Sequence, residues 1–418
     1  MDSVQVTLDF GDAGVQGMGR IASVDGQTYF QYDRDFLDGE VNPAPYSFSF
    51  DGSLQKVERE GMHLVGAFAD VLPDGWAKHV LDGRLTVLGY DPNQLSPVDR
   101  LALIDGNSIG ALTFRPNDPL DAEVPSLTID DLAATVIRQG GKGDAGIEVA
   151  RKLVGSLGGI RPKANIWIDD DRVSARPIAG ADPWIIKFPN PTYDKPNAGV
   201  IEFAYSLMAR AAKINMAPTR LIESRDGPGF FATARFDRSG GERFHFQSLS
   251  GLLSLAPLAR STYQALIGID MQLCGRDAPS EQLTRRMVFN VLACNRDDHT
   301  RNHGFLLNSK GLWATAPAFD ITFSDLVQHE LIVGKDPGNP EAADLREVVT
   351  ELGGDPGMVD DVIKDVRDAV EVWPDFAAEA GLDTETSEMI RTRLSTIAND
   401  GMDPAALVGF MASRGMGR

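Results

Sequence analysis

The stretch from Asn295 to Asp320 constrains this chain more than any other. Asn295-Arg296-Asp297-Asp298-His299-Thr300-Arg301-Asn302 crowds acids, amides and cations together just after a helical pattern, opened by a candidate N-cap at Ser280, with Leu283, Met287, Val288 and Val291 on one face. Two apolar runs follow, Phe305-Leu306-Leu307 and Leu312-Trp313-Ala314, joined by Asn308-Ser309-Lys310-Gly311. That pattern predicts a β-hairpin, and a hairpin brings its two ends together. Asn302 lies just before the first strand and Asp320 just after the second, so two hard oxygen ligands converge although eighteen residues separate them.

Magnesium takes such ligands, usually one or two carboxylates completed by substrate phosphates. Asp297 and Asn302 stand five residues apart, the spacing of a phosphoryl-transfer catalytic loop, where the Asp accepts the substrate hydroxyl proton and the Asn gives Mg²⁺ a neutral oxygen. The expectation is therefore Asp297 as general base, with Asn302 and Asp320 on the metal. Asp-x4-Asn alone is a weak motif, and in the plainer alternative Asp297 and Asp298 cap a loop while Asp320 begins a turn. His299 and His303 are four residues apart but lack the glutamate of a His-Glu-x-x-His zinc helix. His299 is expected to be structural, hydrogen-bonding and orienting the loop.

Upstream, Gly155-Ser156-Leu157-Gly158-Gly159 is a glycine-containing turn whose N–H groups can approach phosphate oxygens, though it does not spell Gly-x-Gly-x-x-Gly. Lys187 ends the strand pattern Trp184-Ile185-Ile186-Lys187-Phe188-Pro189. A cation among apolar neighbours needs an anionic partner, which a nucleotide phosphate supplies; the alternative is an edge-strand lysine reaching for water. Glu202, on the helical pattern Val200–Ala212, is a candidate ion-pair partner for Lys187.

At 418 residues the chain is long enough for two or three subdomains. Residues 1–115 mix short strand patterns (Val4–Leu8, Thr28–Tyr32) with a helical stretch near Gly61–Leu81; 116–144 read as a linker and the start of the next lobe; 145–245 read as a strand-rich lobe; and 246–418 read as a helical lobe. In the last, Val359, Val362, Ile363, Val366 and Trp373 outline one helix, and Met389, Ile390, Leu394 and Ile397 another. The fold class expected is α+β, two-lobed and kinase-like, with ligand in the cleft between lobes.

A formal charge of −20 disfavours autonomous DNA binding and leaves room for a basic partner. Cys274 and Cys294, the only cysteines, fit neither a disulfide framework nor a four-ligand zinc site. Met1-Asp2-Ser3-Val4-Gln5 lacks a basic region followed by an apolar one, and no run reaches the roughly 18 apolar residues of a membrane span. The expectation is a soluble, cytoplasmic protein.

Taken together, Ser156-Leu157-Gly158-Gly159 followed by Arg161-Pro162-Lys163-Ala164, the Lys187 strand, Arg235-Phe236-Asp237-Arg238 and the Asp297 loop resemble the HipA family of bacterial toxin kinases. Phe68-Ala69-Asp70-Val71-Leu72-Pro73-Asp74-Gly75 and Gly110-Ala111-Leu112-Thr113-Phe114 look like that family's N-terminal signatures, so nearly the whole chain is covered. The resemblance implies a serine/threonine protein kinase fold binding ATP and Mg²⁺. It places Ser156, Leu157, Gly158, Gly159, Lys163 and Lys187 at the nucleotide, Asp297 as base, and Asn302 and Asp320 on magnesium. Residues 234–236 would connect the lobes, with Arg235 and Phe236 at adenine through the backbone; Ala234 stands where the family often has an acid.

The resemblance also implies autophosphorylation at Ser156, which silences the enzyme, and a helix-turn-helix, HipB-like antitoxin through which the complex reaches DNA. Family members are associated with phosphorylating an aminoacyl-tRNA synthetase, but these residues do not identify a protein substrate. Two other functions stay open: the same fold acting on a small molecule, and a non-catalytic corepressor.

Overall fold

Alternating Val4, Val6 and Leu8 make Ser3–Asp9 a strand with one wholly buried face. In the computed structural model, which describes residues 3–59, 63–104, 106, 108–115, 127–138, 153–170, 172–335 and 337–399, this strand is part of an antiparallel five-stranded sheet. The order is Gln55–Lys56, Gln27–Tyr32, Val15–Val24, Ser3–Asp9, Leu112–Arg115. Phe30, Phe36, Phe48, Phe68 and Phe114 pack into its core. The helical stretch expected near Gly61–Leu81 is instead a 3-10 turn, Gly66–Phe68, and a separate helix, Gly75–Val87; residues 60–62 lie outside the described residues. Pro73 disfavours helical backbone at Leu72, and Gly75 has φ +46, so the chain cannot run through as one helix.

A second antiparallel sheet runs Thr219–Ile222, Phe230–Ala234, Pro183–Lys187, Lys163–Asp169, Arg172–Ser174. The predicted hairpin is present: Gly304–Leu307 pairs with Trp313–Thr315, and His245–Ser248 pairs with the first of these. Asn308 Oδ1 accepts from the amides of Lys310 and Leu312, which is why that turn needs its asparagine. The ends meet where Ala316 N–H donates to Gly304 O at 2.9 Å.

By packing, the chain divides into two units: 1–199 with 218–257 and 304–316, and 200–217 with 258–303 and 317–418. The two sheets and the hairpin belong to the first. Residues 234–236, expected to connect the lobes, run inside that unit. Of the expected linker 116–144, residues 127–138 are described and include the helix Ile129–Arg138; the rest lies outside the described residues.

The second unit is helical. Glu281–Leu292 is buried from Leu283 onward, which reflects its central place. Ser280 occupies the N-cap position, though its side chain makes no capping hydrogen bond. The helix expected to run from Val359 to Trp373 is broken into Pro356–Glu371 and Trp373–Glu379, because Pro374 fits the first turn of a new helix and not the interior of an old one. Thr384–Asn399 follows as expected. Among the described residues no helix is long and apolar enough to cross a membrane.

One close approach in the first unit yields a prediction. A Cβ on Gly75 would lie 2.3 Å from Gly159 O, at a left-handed φ. Gly75→Ala is expected to lower stability by about 1–2 kcal/mol from the backbone conformation alone, with the clash adding to it. Urea unfolding measures the loss; a variant as stable as the parent would show that these two segments do not meet.

Candidate active site

Asn302 closes a 3-10 turn, Thr300–Asn302, and its Nδ2 donates to Asp297 O at 2.8 Å. With the amide nitrogen tied back, Oδ1 is left as the acceptor that a cation can use. Four residues beyond the hairpin base, Asp320 adopts φ +54, a left-handed conformation that ordinary residues avoid. Asn302 and Asp320 line one hollow, with Asn290, Asn295, Asp298 and His303. The predicted convergence is therefore met. Burial pushes the His303 imidazole down to about 4, so it stays neutral at physiological pH and adds no charge to the hollow.

Among the described residues no group of three or more His, Cys, Asp or Glu side chains is placed to hold a metal. One amide and one carboxylate do suit Mg²⁺, which keeps waters or phosphates in its remaining positions. The donor set thus fits magnesium with a phosphate-bearing substrate.

Asp297 and its neighbour differ sharply. The Asp297 side chain is 54% exposed, whereas that of Asp298 is 0% exposed. Asp298 accepts from Tyr263 Oη at 2.5 Å, His329 Nδ1 at 3.1 Å, and the amides of Glu330 and Leu331 at 2.9 and 3.3 Å. Burial first, and then the Asp298 charge, raise the Tyr263 phenol well above its usual value, so it remains a donor. The loop is oriented by this aspartate and not by His299. Among the described residues neither His299 ring nitrogen has a hydrogen-bond partner: none reaches Nδ1, and Nε2 is 3.9 Å from Asp297 Oδ1, too far for one.

In the first unit, the glycine turn is left-handed at Gly155 (φ +55) and Gly159 (φ +97), which its glycines permit. Residues 74–76 clasp it: Gly159 N–H donates to Asp74 Oδ1, and Trp76 N–H to Gly159 O, each at 2.9 Å. The Gly159 amide expected to face phosphate is thus engaged by a carboxylate here. Leu157 is buried, and so is Ser156, whose Oγ accepts from Ile109 N–H at 3.3 Å. Lys163 Nζ donates to Gly158 O. Lys163 and Lys187 are directly opposite across two strands, hence on one face, each only 8% exposed. Lys187 also lies 5.4 Å from the centre of the Phe231 ring.

Arg235 departs from expectation. Its guanidinium is buried against Asp237, Asn165 Oδ1 and Ser108 O, and its backbone N–H donates to Pro183 O at 3.0 Å, so neither faces a nucleotide. Phe236 is half-buried against Phe246. Glu202 is buried on Ala198–Ala211, in the second unit, while Lys187 belongs to the first.

Compared with known families, residues 155–373 match the HipA-like C-terminal domain and residues 13–115 the HipA N-terminal domain. The chain belongs to the HipA family. A Sinorhizobium fredii protein named "Putative kinase Y4dM" is 24% identical over 322 residues, covering 71% of this chain and 72% of that protein. The fold is that of the Shewanella oneidensis toxin HipA, solved with HipB and operator DNA: TM-score 0.69, 16% identity, 94% of this chain and 96% of that one. Every motif through which the sequence resembles HipA toxins falls inside one of the two matched regions, and the expected linker 116–144 lies between them.

Proposed function

We propose that this HipA-family chain is a Mg²⁺-dependent serine/threonine protein kinase, acting as the toxin of a pair with a helix-turn-helix, HipB-like antitoxin. The observation that carries the reading is the meeting of Asn302 and Asp320 in one hollow, with the exposed Asp297 carboxylate on the loop that fixes Asn302. In this reading Asp297 takes the proton from an acceptor Ser or Thr hydroxyl. The hydroxyl oxygen bonds to the γ-phosphorus as the bond to the β–γ bridging oxygen breaks, and ADP leaves with that electron pair. Asn302 and Asp320 would hold magnesium, which would supply positive charge against the phosphates. The transition state is loose, so positioning and electrostatics carry most of the catalysis.

Lys163 and Lys187 supply positive charge to the nucleotide from one sheet face, with Ser156, Leu157 and Gly158 at the phosphates and the backbone of 235–236 at adenine. The charge of −20 agrees with DNA being reached only through the antitoxin. The solved HipA relative, bound to HipB and operator DNA, supports the same arrangement. An aminoacyl-tRNA synthetase is the first protein acceptor to test.

Ser156 is the proposed autophosphorylation site. A phosphate of roughly −1.5 to −2 charge has no room where this side chain is buried, so its addition is expected to expel the turn and silence the enzyme. Incubating the purified chain with labelled ATP, with and without EDTA, and mapping phosphosites by mass spectrometry tests both parts. The expected result is label at Ser156 and on a protein acceptor, abolished by EDTA. Label on small molecules alone would make this a different phosphotransferase, and antitoxin binding without any transfer would leave a corepressor.

A further inference from the structure

Asp297 is flanked by two buried side chains, and both reach the same later segment. Arg296 donates to Leu326 O, Val327 O and Gly338 O, each at 2.8 Å, and its own carbonyl accepts from Glu330 N–H at 3.3 Å. Asp298 accepts from the amides of Glu330 and Leu331 and from His329 Nδ1. Just ahead of the loop, Ser324 N–H donates to Cys294 O at 3.0 Å. The network returns to the helical core through Tyr263, whose hydroxyl accepts from Asn290 Nδ2 at 3.0 Å, while Asn290 Oδ1 accepts from Asn295 Nδ2 at 2.9 Å.

We propose that Asp298 is a positioning residue: its buried carboxylate ties the loop bearing Asp297 to residues 329–331, so the placement of the base depends on that segment. The inference rests on the kinase reading for its effect on rate, though the tether itself does not. A carboxylate carries four lone-pair sites, and four donors converge on this one. An amide of the same shape supplies only one acceptor oxygen and presents hydrogen to donors that then lack a partner. The loop would hold its chain path but lose registration against 329–331. Segment and base then move together.

Asp298→Asn is expected to reduce kcat roughly 10- to 100-fold, the scale on which a small misplacement of reacting groups acts, with KM for ATP little changed. Hydrogen exchange supplies the readout that does not need catalysis: Glu330 and Leu331 amides should exchange faster in Asp298→Asn and as in the parent in Asp297→Asn. Should Asp298→Asn fail to fold, Tyr263→Phe removes a single donor and should lower kcat roughly fivefold, about one hydrogen bond's share. A wild-type kcat in whichever variant folds, or a rate loss with unchanged exchange at 330 and 331, overturns the proposal. If the parent chain itself transfers no phosphate, the kinase reading fails, and the exchange comparison still decides the tether.

Discussion

Asp297→Asn should lower phosphate transfer by about 10²–10⁴, the range for losing a general base, or roughly 3–5 kcal/mol of barrier. The substitution is chosen because it removes one property and keeps the others. Asn302 Nδ2 is held by the Asp297 backbone carbonyl, which any residue at 297 supplies, so the amide proposed for magnesium keeps its anchor. The 297 side chain is more than half exposed, so its loss should leave the unfolding midpoint close to that of the parent. ATP affinity should be similar, since the carboxylate is assigned to the acceptor hydroxyl and not to the nucleotide. The measurement is single-turnover transfer alongside ATP binding. A parent-like rate would remove Asp297 from the mechanism, and a collapse of ATP binding would reassign it to the metal or the nucleotide.

Why this loop was readable, and its support was not, follows from how each is encoded. The hairpin depends on local terms: two apolar runs and an Asn-to-Gly turn whose asparagine side chain accepts two amides. Once the hairpin is granted, the meeting of Asn302 and Asp320 follows from chain geometry alone. Asp298 has no such local signature. Its partners Tyr263 and His329 lie 35 and 31 residues away and reach it only through the packing of the helical unit. An acidic pair in sequence gives no hint of which member turns inward. The role expected of His299 rests on analogy with the histidine that kinase catalytic loops carry, yet here the aspartate beside it makes those hydrogen bonds.

Arg235 illustrates the same limit. Arg235-Phe236-Asp237-Arg238 marks the family in sequence, but its two guanidinium groups point at the Asp between them, and residues 108–110, more than a hundred positions earlier, complete the cluster. Near Pro73 and Pro374 apolar spacing continues across the helix boundaries, so periodicity alone predicts unbroken helices, while proline changes what the backbone can do there.

That cluster supports the largest stability prediction. Asp237 has a side chain that is 0% exposed, and it accepts from Arg235 Nε and Nη2 at 2.9 and 2.6 Å, from Arg238 Nη1 at 2.7 Å and from Gly110 N–H at 2.7 Å. Asp237→Ala would leave two buried guanidinium groups without their shared anion, and breaking such a pair costs about 3–5 kcal/mol. Burial alone would raise the carboxyl, but the Arg235 and Arg238 charges overcome it and hold Asp237 well below the usual carboxylate range. A carboxylate depressed on folding stabilises above its unfolded value, near 4, and the contribution is lost as pH falls through the lower, folded value. Below about pH 4, therefore, the stability gap between the parent and Asp237→Asn should narrow with each step of acidification, and it should be constant from there to neutrality. Urea unfolding of both proteins across this range cancels the other carboxylates. A gap that widens on acidification would mean that the folded state holds Asp237 protonated, and the two arginines would then need another counter-ion.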